Sequence, residues 1–267
     1  MPVDHYENFP VASWLLPARF RPPIEAIYGF ARGADDIADE GELSDAARLR
    51  GLACFAEALD EIEAGGSPTD PPFARLAAAV REYALPIPLL RDLIDAFSQD
   101  VVKKRYATFD ELLDYSRRSA NPVGRLVLHL FRRTDAASLA QSDAICSALQ
   151  FTNFWQDVAV DWAKGRVYIP QNDLARFGVT EAQIAEQRVD ESWTRLMAFE
   201  CERARGMLRT GAPLGRALPG RLGLEIRATV QGGLRILDKI DAADGDVFHD
   251  RPVLGKGDWV KIVAKAL

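Results

Sequence analysis

The chain is poor in cysteine, in long apolar runs and in surplus positive charge, and each shortage removes a class of function. Its three cysteines, Cys54, Cys146 and Cys201, lie far apart and form no Cys-x-x-Cys pair. Neither a disulfide framework nor a zinc knuckle is expected, and the three read as core residues in a reducing compartment. No apolar run reaches the roughly 18 residues needed to span a bilayer. Met1 to Pro10 holds two acids and no basic stretch, so no signal peptide is expected there. A cytoplasmic protein follows, with at most peripheral membrane contact to collect a greasy substrate. The formal net charge of −6 argues against a nucleic-acid partner, which requires a broad basic surface. No convincing run alternates as a strand, and no glycine-rich loop follows one, so a nucleotide fingerprint is missing.

What is present is helical periodicity along 267 residues, with 48% hydrophobic and 27% charged positions, ample for a globular core. A single domain over 1–267 is expected, since no boundary, repeat or low-complexity tract interrupts it. The first long helix is predicted over Pro22 to Glu40, with prolines in its first turn and Gly41 as its stop. Further helices are predicted over Ser44 to Ala64, from Pro71, over Pro86 to Arg105, and from a Thr108 cap to Ser119. A break is expected near Asn121-Pro122, with Asn121 as a cap. Ser142 to Trp162 reads as the longest central helix. Asn172 to Phe177, Thr180 to Gln187 and Glu191 to Arg209 follow, and Leu224 to Asp241 is the last. Gly232-Gly233 in that helix costs about 1 kcal/mol per glycine against alanine. Close packing is the plain explanation, and room for a long ligand the sharper one.

Two stretches carry paired aspartates, Asp35/Asp39 and Asp157/Asp161. A spacing of four stacks both carboxylates on one helix face, about a turn apart. Like charges repel there, and at the C-terminal end of the first helix the macrodipole disfavours Asp35 and Asp39 further. A compensating cation is implied. Mg²⁺ suits hard oxygen ligands and commonly joins carboxylates to phosphate oxygens. One pair alone is usually a solvated face; two pairs on otherwise apolar helices look like two jaws of one magnesium–diphosphate clamp. Arg32 reads equally as an intrahelical ion pair or a phosphate contact. Gln150, Asn153, Asp157 and Asp161 form one polar stripe flanked by Phe151, Phe154, Trp155 and Val158, expected to face a hydrated cavity. The loop Arg166-Val167-Tyr168-Ile169-Pro170 then brings a guanidinium near the second pair.

These two stretches, with Tyr28 and Arg32 upstream of the first and Arg166 to Pro170 after the second, resemble the signatures of the squalene/phytoene synthase family. The likeness extends over nearly the whole chain, through Asn8-Phe9, Asp100 with Arg105-Tyr106, and Tyr115 to Gly124. It implies the all-α isoprenoid synthase bundle with a central active-site cavity, two or three Mg²⁺ ions, a prenyl tunnel, and head-to-head chemistry through a presqualene-type diphosphate. By the same resemblance Asp35, Asp39, Asp157, Asp161, Tyr28 and Gln150 are the catalytic set, with Asn153 joining the four aspartates on metal. Arg32, Asn153, Arg166, Tyr168 and Arg118 would bind diphosphate, and Phe9 and Phe154 would line the hydrophobic pocket.

Several positions depart from the family pattern. Arg118 stands where a tyrosine is usual, Asn121 where glycine is usual, and Gly233 where tyrosine is frequent. Asn153-Phe154-Trp155-Gln156-Asp157 replaces the common Asn-Ile/Leu-Leu-Arg-Asp. Together with the start His5 to Ser13, these resemble the hydroxysqualene synthases of hopanoid gene clusters, which ionise presqualene diphosphate and quench the cation with water. No NADPH is expected. The rival reading condenses two allylic diphosphates to squalene, phytoene or presqualene diphosphate. A non-catalytic assembly factor is disfavoured by the intact aspartates. Partners would be the prenyl diphosphate itself and, functionally, other enzymes of the same lipid pathway.

Overall fold

The computed structural model describes residues 17–267. Among these the regular structure is helical, and the only pairing outside helices is an isolated parallel bridge between Arg105 and Val167. The helices pack into two compact units that interleave along the chain. One runs to Lys103 and resumes over Arg117–Leu139; the other comprises Lys104–Ser116 and Ala140–Leu267.

The first unit is built on α1 (Arg21–Asp39), α2 (Asp45–Glu63), α3 (Pro71–Tyr83) and α4 (Ile87–Val102). Proline in the first turn of α1 has no N–H to lose. Ile24, Ile27, Phe30, Ala34 and Ala38 recur at helical spacing and are buried, against α2, α3 and α4. The helix stops at Glu40 with extended backbone, and Gly41 takes φ +71°, which glycine tolerates without a Cβ clash. Ser44 caps α2, its Oγ accepting from the Ala47 N–H at 3.3 Å. Phe30, Phe55 and Phe73 meet edge-on or tilted at 4.9–6.4 Å. Phe30 is fully buried, so truncating it to alanine should cost about 3–5 kcal/mol.

α4 ends at Val102 rather than Arg105, because Lys103 turns to extended backbone as the chain heads for the bridge at Arg105. α5 (Phe109–Ser119) and α6 (Asn121–Leu130) are separated by Ala120 alone. Asn121 is therefore the first residue of α6 and buried, not its cap.

The second unit holds α7 (Ala136–Gln156), α8 (Val158–Ala163), α9 (Gln171–Phe177), α10 (Glu181–Ala185), α11 (Glu191–Gly211), α12 (Leu214–Ala217), α13 (Gly220–Ala242) and α14 (Lys256–Ala266). Three expectations are corrected. The helix expected from Ser142 begins at Ala136, because Asp135 caps it by accepting from Ser138 N and Oγ at 2.9 and 2.7 Å. It is interrupted at Asp157, and α13, with 23 residues, is longer. Finally, α14 follows the helix expected to be last.

The glycines at the centre of this unit serve close packing. A Cβ on Gly233 would sit 2.8 Å from Leu149 Cδ2 of α7 and 3.1 Å from Leu208 Cδ1 of α11. A Cβ on Gly211 would sit 2.6 Å from the Gln141 carbonyl. Gly211 lets α11 approach the backbone of α7, and Gly233 lets Leu149 and Leu208 pack directly on α13.

Candidate active site

On α1, Tyr28, Arg32, Asp35 and Asp39 succeed one another at three- and four-residue steps, along one flank of the helix. Tyr28 is half-buried. Arg32 binds within the helix: Nη1 lies 3.4 Å from Asp35 Oδ2, and Nη2 lies 2.7 Å from Asp36 Oδ1. The intrahelical pair is thus formed, and its shorter arm goes to Asp36.

Asp35 keeps 41% of its side chain open, yet the surrounding atoms strip enough water from it to push its carboxyl up to about 6. Repulsion from Asp39, and then from Asp100 and Asp36, adds to that desolvation, while Arg32 opposes it. Asp100 reaches this cluster from α4 and is itself buried. Arg118 is built into the same unit, donating to Asp95 and, at 2.7 Å, to Gln99 Oε1.

The second acidic pair straddles the break between α7 and α8. Backbone bonds continue through it: Asp157 N–H donates to Asn153 O at 2.8 Å, and Asp161 N–H to Asp157 O at 2.9 Å. Asn153, Asp157 and Asp161 therefore stay in line although the helix bends. Asn153 is exposed, and Gln150, Asp157 and Asp161 are half-buried.

Asp157 is not left as a bare anion. Arg251 donates to both its oxygens, Nε to Oδ1 and Nη2 to Oδ2, the latter at 3.1 Å. Neighbouring Gln156 donates its Nε2–H to the Pro252 carbonyl, so the segment before α14 is fastened to the bend at two successive residues.

The loop after α8 is fixed with equal care. Gly165 takes φ +74°, and the N–H of Arg166, whose side chain is buried, returns to Asp161 O at 2.8 Å. Val167 N–H donates to Lys104 O and Gln171 N–H to Tyr106 O, at 3.0 and 2.9 Å. Arg105 is structural: it holds Glu181 at 2.6 and 2.8 Å and the Gly165 carbonyl at 2.6 Å.

This strapping presses Tyr168 flat against Phe154, with ring centroids 3.7 Å apart and planes within 4°. Tyr106 and Tyr115 complete the aromatic group at 5.9 and 6.2 Å from Tyr168. Tyr168 is buried, so its ring works as much as a wall as its hydroxyl could as a donor. Phe9 lies outside the described residues.

The donor chemistry fits Mg²⁺. Carboxylates held together against their own repulsion, on one helix, and an aspartate already matched by a guanidinium, on another, are both places that call for positive charge. Among the described residues no three acids, histidines or cysteines converge into a complete metal cage. Neither pair alone supplies a full coordination sphere, in keeping with an ion that retains waters and takes phosphate oxygens.

A raised carboxyl alone does not mark the site. Glu200 is fully buried and, chiefly through desolvation, pushed up to about 8. It shares Arg203 with Asp173, at 2.9 and 2.8 Å, and ties α11 to α9. Arg251 was missed in the sequence, where a lone arginine beyond the last expected helix carries no periodic or motif signal.

The squalene/phytoene synthase family model matches residues 3–258. The chain is 35% identical to hydroxysqualene synthase of Rhodopseudomonas palustris over 254 residues, which cover 92% of this chain and 84% of that one. It is 31% identical to phytoene synthase of Arthrospira platensis over 278 residues, 99% of this chain and 89% of the relative. Among solved structures it is similar to squalene synthase HpnC from Alicyclobacillus acidocaldarius, with a TM-score of 0.84 and 37% identity, covering 91% of each chain.

Proposed function

The chain belongs to the squalene/phytoene synthase family, with its all-α isoprenoid synthase fold, and within that family we propose that it is a hydroxysqualene synthase. Its substrate would be presqualene diphosphate, and its products hydroxysqualene and diphosphate. The observation that carries this choice is the likeness, at 35% identity over nine-tenths of the chain, to an enzyme of that name. Arg118, fastened to α4 through Asp95 and Gln99, supports it, because squalene and phytoene synthases usually have a tyrosine there.

Asp35 and Asp39 of α1, and Asp157 and Asp161 at the α7–α8 break, would hold magnesium for the substrate's diphosphate, with Asn153 as a further ligand. When bound, that metal neutralises the charge that develops on diphosphate as the C–O bond breaks. Arg32 and Arg166 add charge-assisted hydrogen bonds to the same oxygens. The C–O electron pair leaves with diphosphate, and the hydrocarbon cation rearranges among apolar walls.

Phe154, through the ring face that Tyr168 does not cover, stabilises that cation without reacting with it, and Tyr28 does so from α1. Gln150 and Asn153 hold the water whose oxygen forms the new C–O bond while its proton passes to solvent. No hydride enters, so NADPH is not required. The protein works in the cytoplasm at a membrane surface, where its C30 substrate partitions. Among the described residues no helix is long and apolar enough to cross a membrane.

A second reading, condensation of two allylic diphosphates, is favoured by the 31% identity to a phytoene synthase over almost the entire chain. Gas chromatography–mass spectrometry separates the two. Purified protein with Mg²⁺ and no NADPH is given presqualene diphosphate or farnesyl diphosphate. Hydroxysqualene from the former, with little consumption of the latter, is the expected result. Conversion of farnesyl diphosphate to presqualene diphosphate or a C30 hydrocarbon would replace it with the second reading.

A further inference from the structure

Three helices of the second unit, α11, α13 and α14, border a shallow basin of about 230 Å³. Arg205 and Arg209 reach it from α11, Arg235 from α13, and Lys261 and Lys265 from α14, while Asp238 is the one acid among its lining residues. Neither aspartate pair contributes to it.

Carboxylates at its margin hold the arginines in place. Arg205 gives Nη1 to Glu202 at 2.7 Å and Nη2 to Asp241, with Asp238 3.6 Å away. Arg209 spends only Nη1, on Glu202 at 3.0 Å, and Arg235 only Nε, on Asp258 at 2.6 Å. Asp258 also accepts from Lys239 and from the Gly255 N–H, both at 2.9 Å, so it has little left to offer. Glu202, Asp238, Asp241 and Asp258 are thus taken up by Arg205, Arg209, Arg235 and Lys239. Lys261 and Lys265 are left over, exposed and without an ion pair among the described residues.

Two unmatched positive charges in a chain of net charge −6 are a local exception, and helix stability does not call for them. Lys261 and Lys265 stand one turn apart, where like charges repel. At about 100° per residue they share the flank next to the buried Asp258, the flank that turns toward α11 and α13. The excess of two charges sets the ligand's charge. Its shape follows from donors that converge from three helices, two of them guanidinium forks with free N–H groups, which suit a tetrahedral anion with several oxygens better than a planar carboxylate. We propose that this basin binds a phosphate group carrying two charges, either free or as the terminal group of a phosphomonoester, between Lys261, Lys265 and the open edges of Arg209 and Arg235. The site goes beyond the proposed reaction and does not rest on it.

The test is isothermal titration calorimetry on the whole protein in metal-free buffer at low salt, with inorganic phosphate, glycerol phosphate and succinate as probes. Without metal the aspartate pairs repel an anion, so the site and the reaction can fail separately. One phosphate should bind per chain, and more weakly as salt screens the lysines. Each exposed contact is worth about three-fold in affinity, so Lys261→Gln with Lys265→Gln should weaken binding about ten-fold. That variant should melt no lower than its parent, because it removes a like-charge pair. Tighter binding of inorganic phosphate would assign the free anion, and tighter binding of glycerol phosphate a phosphomonoester; both uphold the site. Phosphate binding that is absent without Mg²⁺, that is unmoved in the lysine variant, or that succinate equals would overturn the proposal. So would a marked fall in the variant's melting temperature, since the lysines would then serve the fold.

Discussion

The two aspartate pairs share a spacing and differ in how the protein tolerates them without a metal ion. On α1 the acids crowd one another: Asp35, Asp39 and Asp100 repel, and Arg32 divides its guanidinium between Asp35 and Asp36. Desolvation and that repulsion push the Asp35 carboxyl up to about 6, so a proton relieves the crowding only below about that pH. At the α7–α8 bend Asp157 is instead matched by the protein's own cation, Arg251, which engages both carboxylate oxygens. One pair thus waits for a cation with its charges crowded together, the other with its charge occupied. A metal ion binding to the first competes with protons; one binding to the second competes with a guanidinium.

The largest expected effect ignores this difference. Asp35→Asn and Asp157→Asn should each lower the rate of diphosphate release by on the order of 10³-fold, measured in single-turnover assays; near-native rates in either would remove that pair from the machinery.

The next separates the pairs. Arg251→Gln removes the competitor at the bend, and the affinity for Mn²⁺, read by electron paramagnetic resonance without substrate, should rise about ten-fold. Arg32→Gln should produce no comparable gain, since the shorter arm of Arg32 goes to Asp36 and not to the Asp35/Asp39 pair.

The smallest effect is a difference in sign. A carboxyl raised in the folded state binds a proton there that the unfolded chain has released, so stability falls as pH climbs from about 4 to about 6. Asp35→Asn should therefore raise the metal-free stability at pH 7 by about 1 kcal/mol, after allowing for solvent screening, and leave it unchanged at pH 4. Asp157→Asn should lower it by about 1–2 kcal/mol, because Arg251 loses its partner. Equal signs in differential scanning calorimetry would undo the contrast.

Much of this was legible in the sequence, because it rests on local chemistry. The Pro22-Pro23 start and Gly41 stop bracket α1 to within a residue, and the three-four-four stripe survives the bend because backbone bonds carry it through Asp157. Other features depend on contacts that no window of sequence contains. Arg251 meets Asp157 across 94 residues. The early start of α7 turns on the Asp135–Ser138 cap, hidden among small polar residues. α14 escaped notice because its outward valines blur the inward stripe of Ile262 and Ala266, leaving no single amphipathic face. Gly232-Gly233 of α13 permitted two explanations until the neighbours of Gly233 were known; Leu149 and Leu208 leave it no spare room.

The central claim is that water ends the reaction. Turnover of presqualene diphosphate in ¹⁸O-enriched water, with Mg²⁺ and without NADPH, tests it most directly. The account predicts hydroxysqualene whose hydroxyl oxygen carries the solvent label, read by the mass shift of the alcohol. Hydroxysqualene without the label would mean that the oxygen came from diphosphate, and a hydrocarbon formed only with NADPH would mean that hydride ends the reaction; either result contradicts the account.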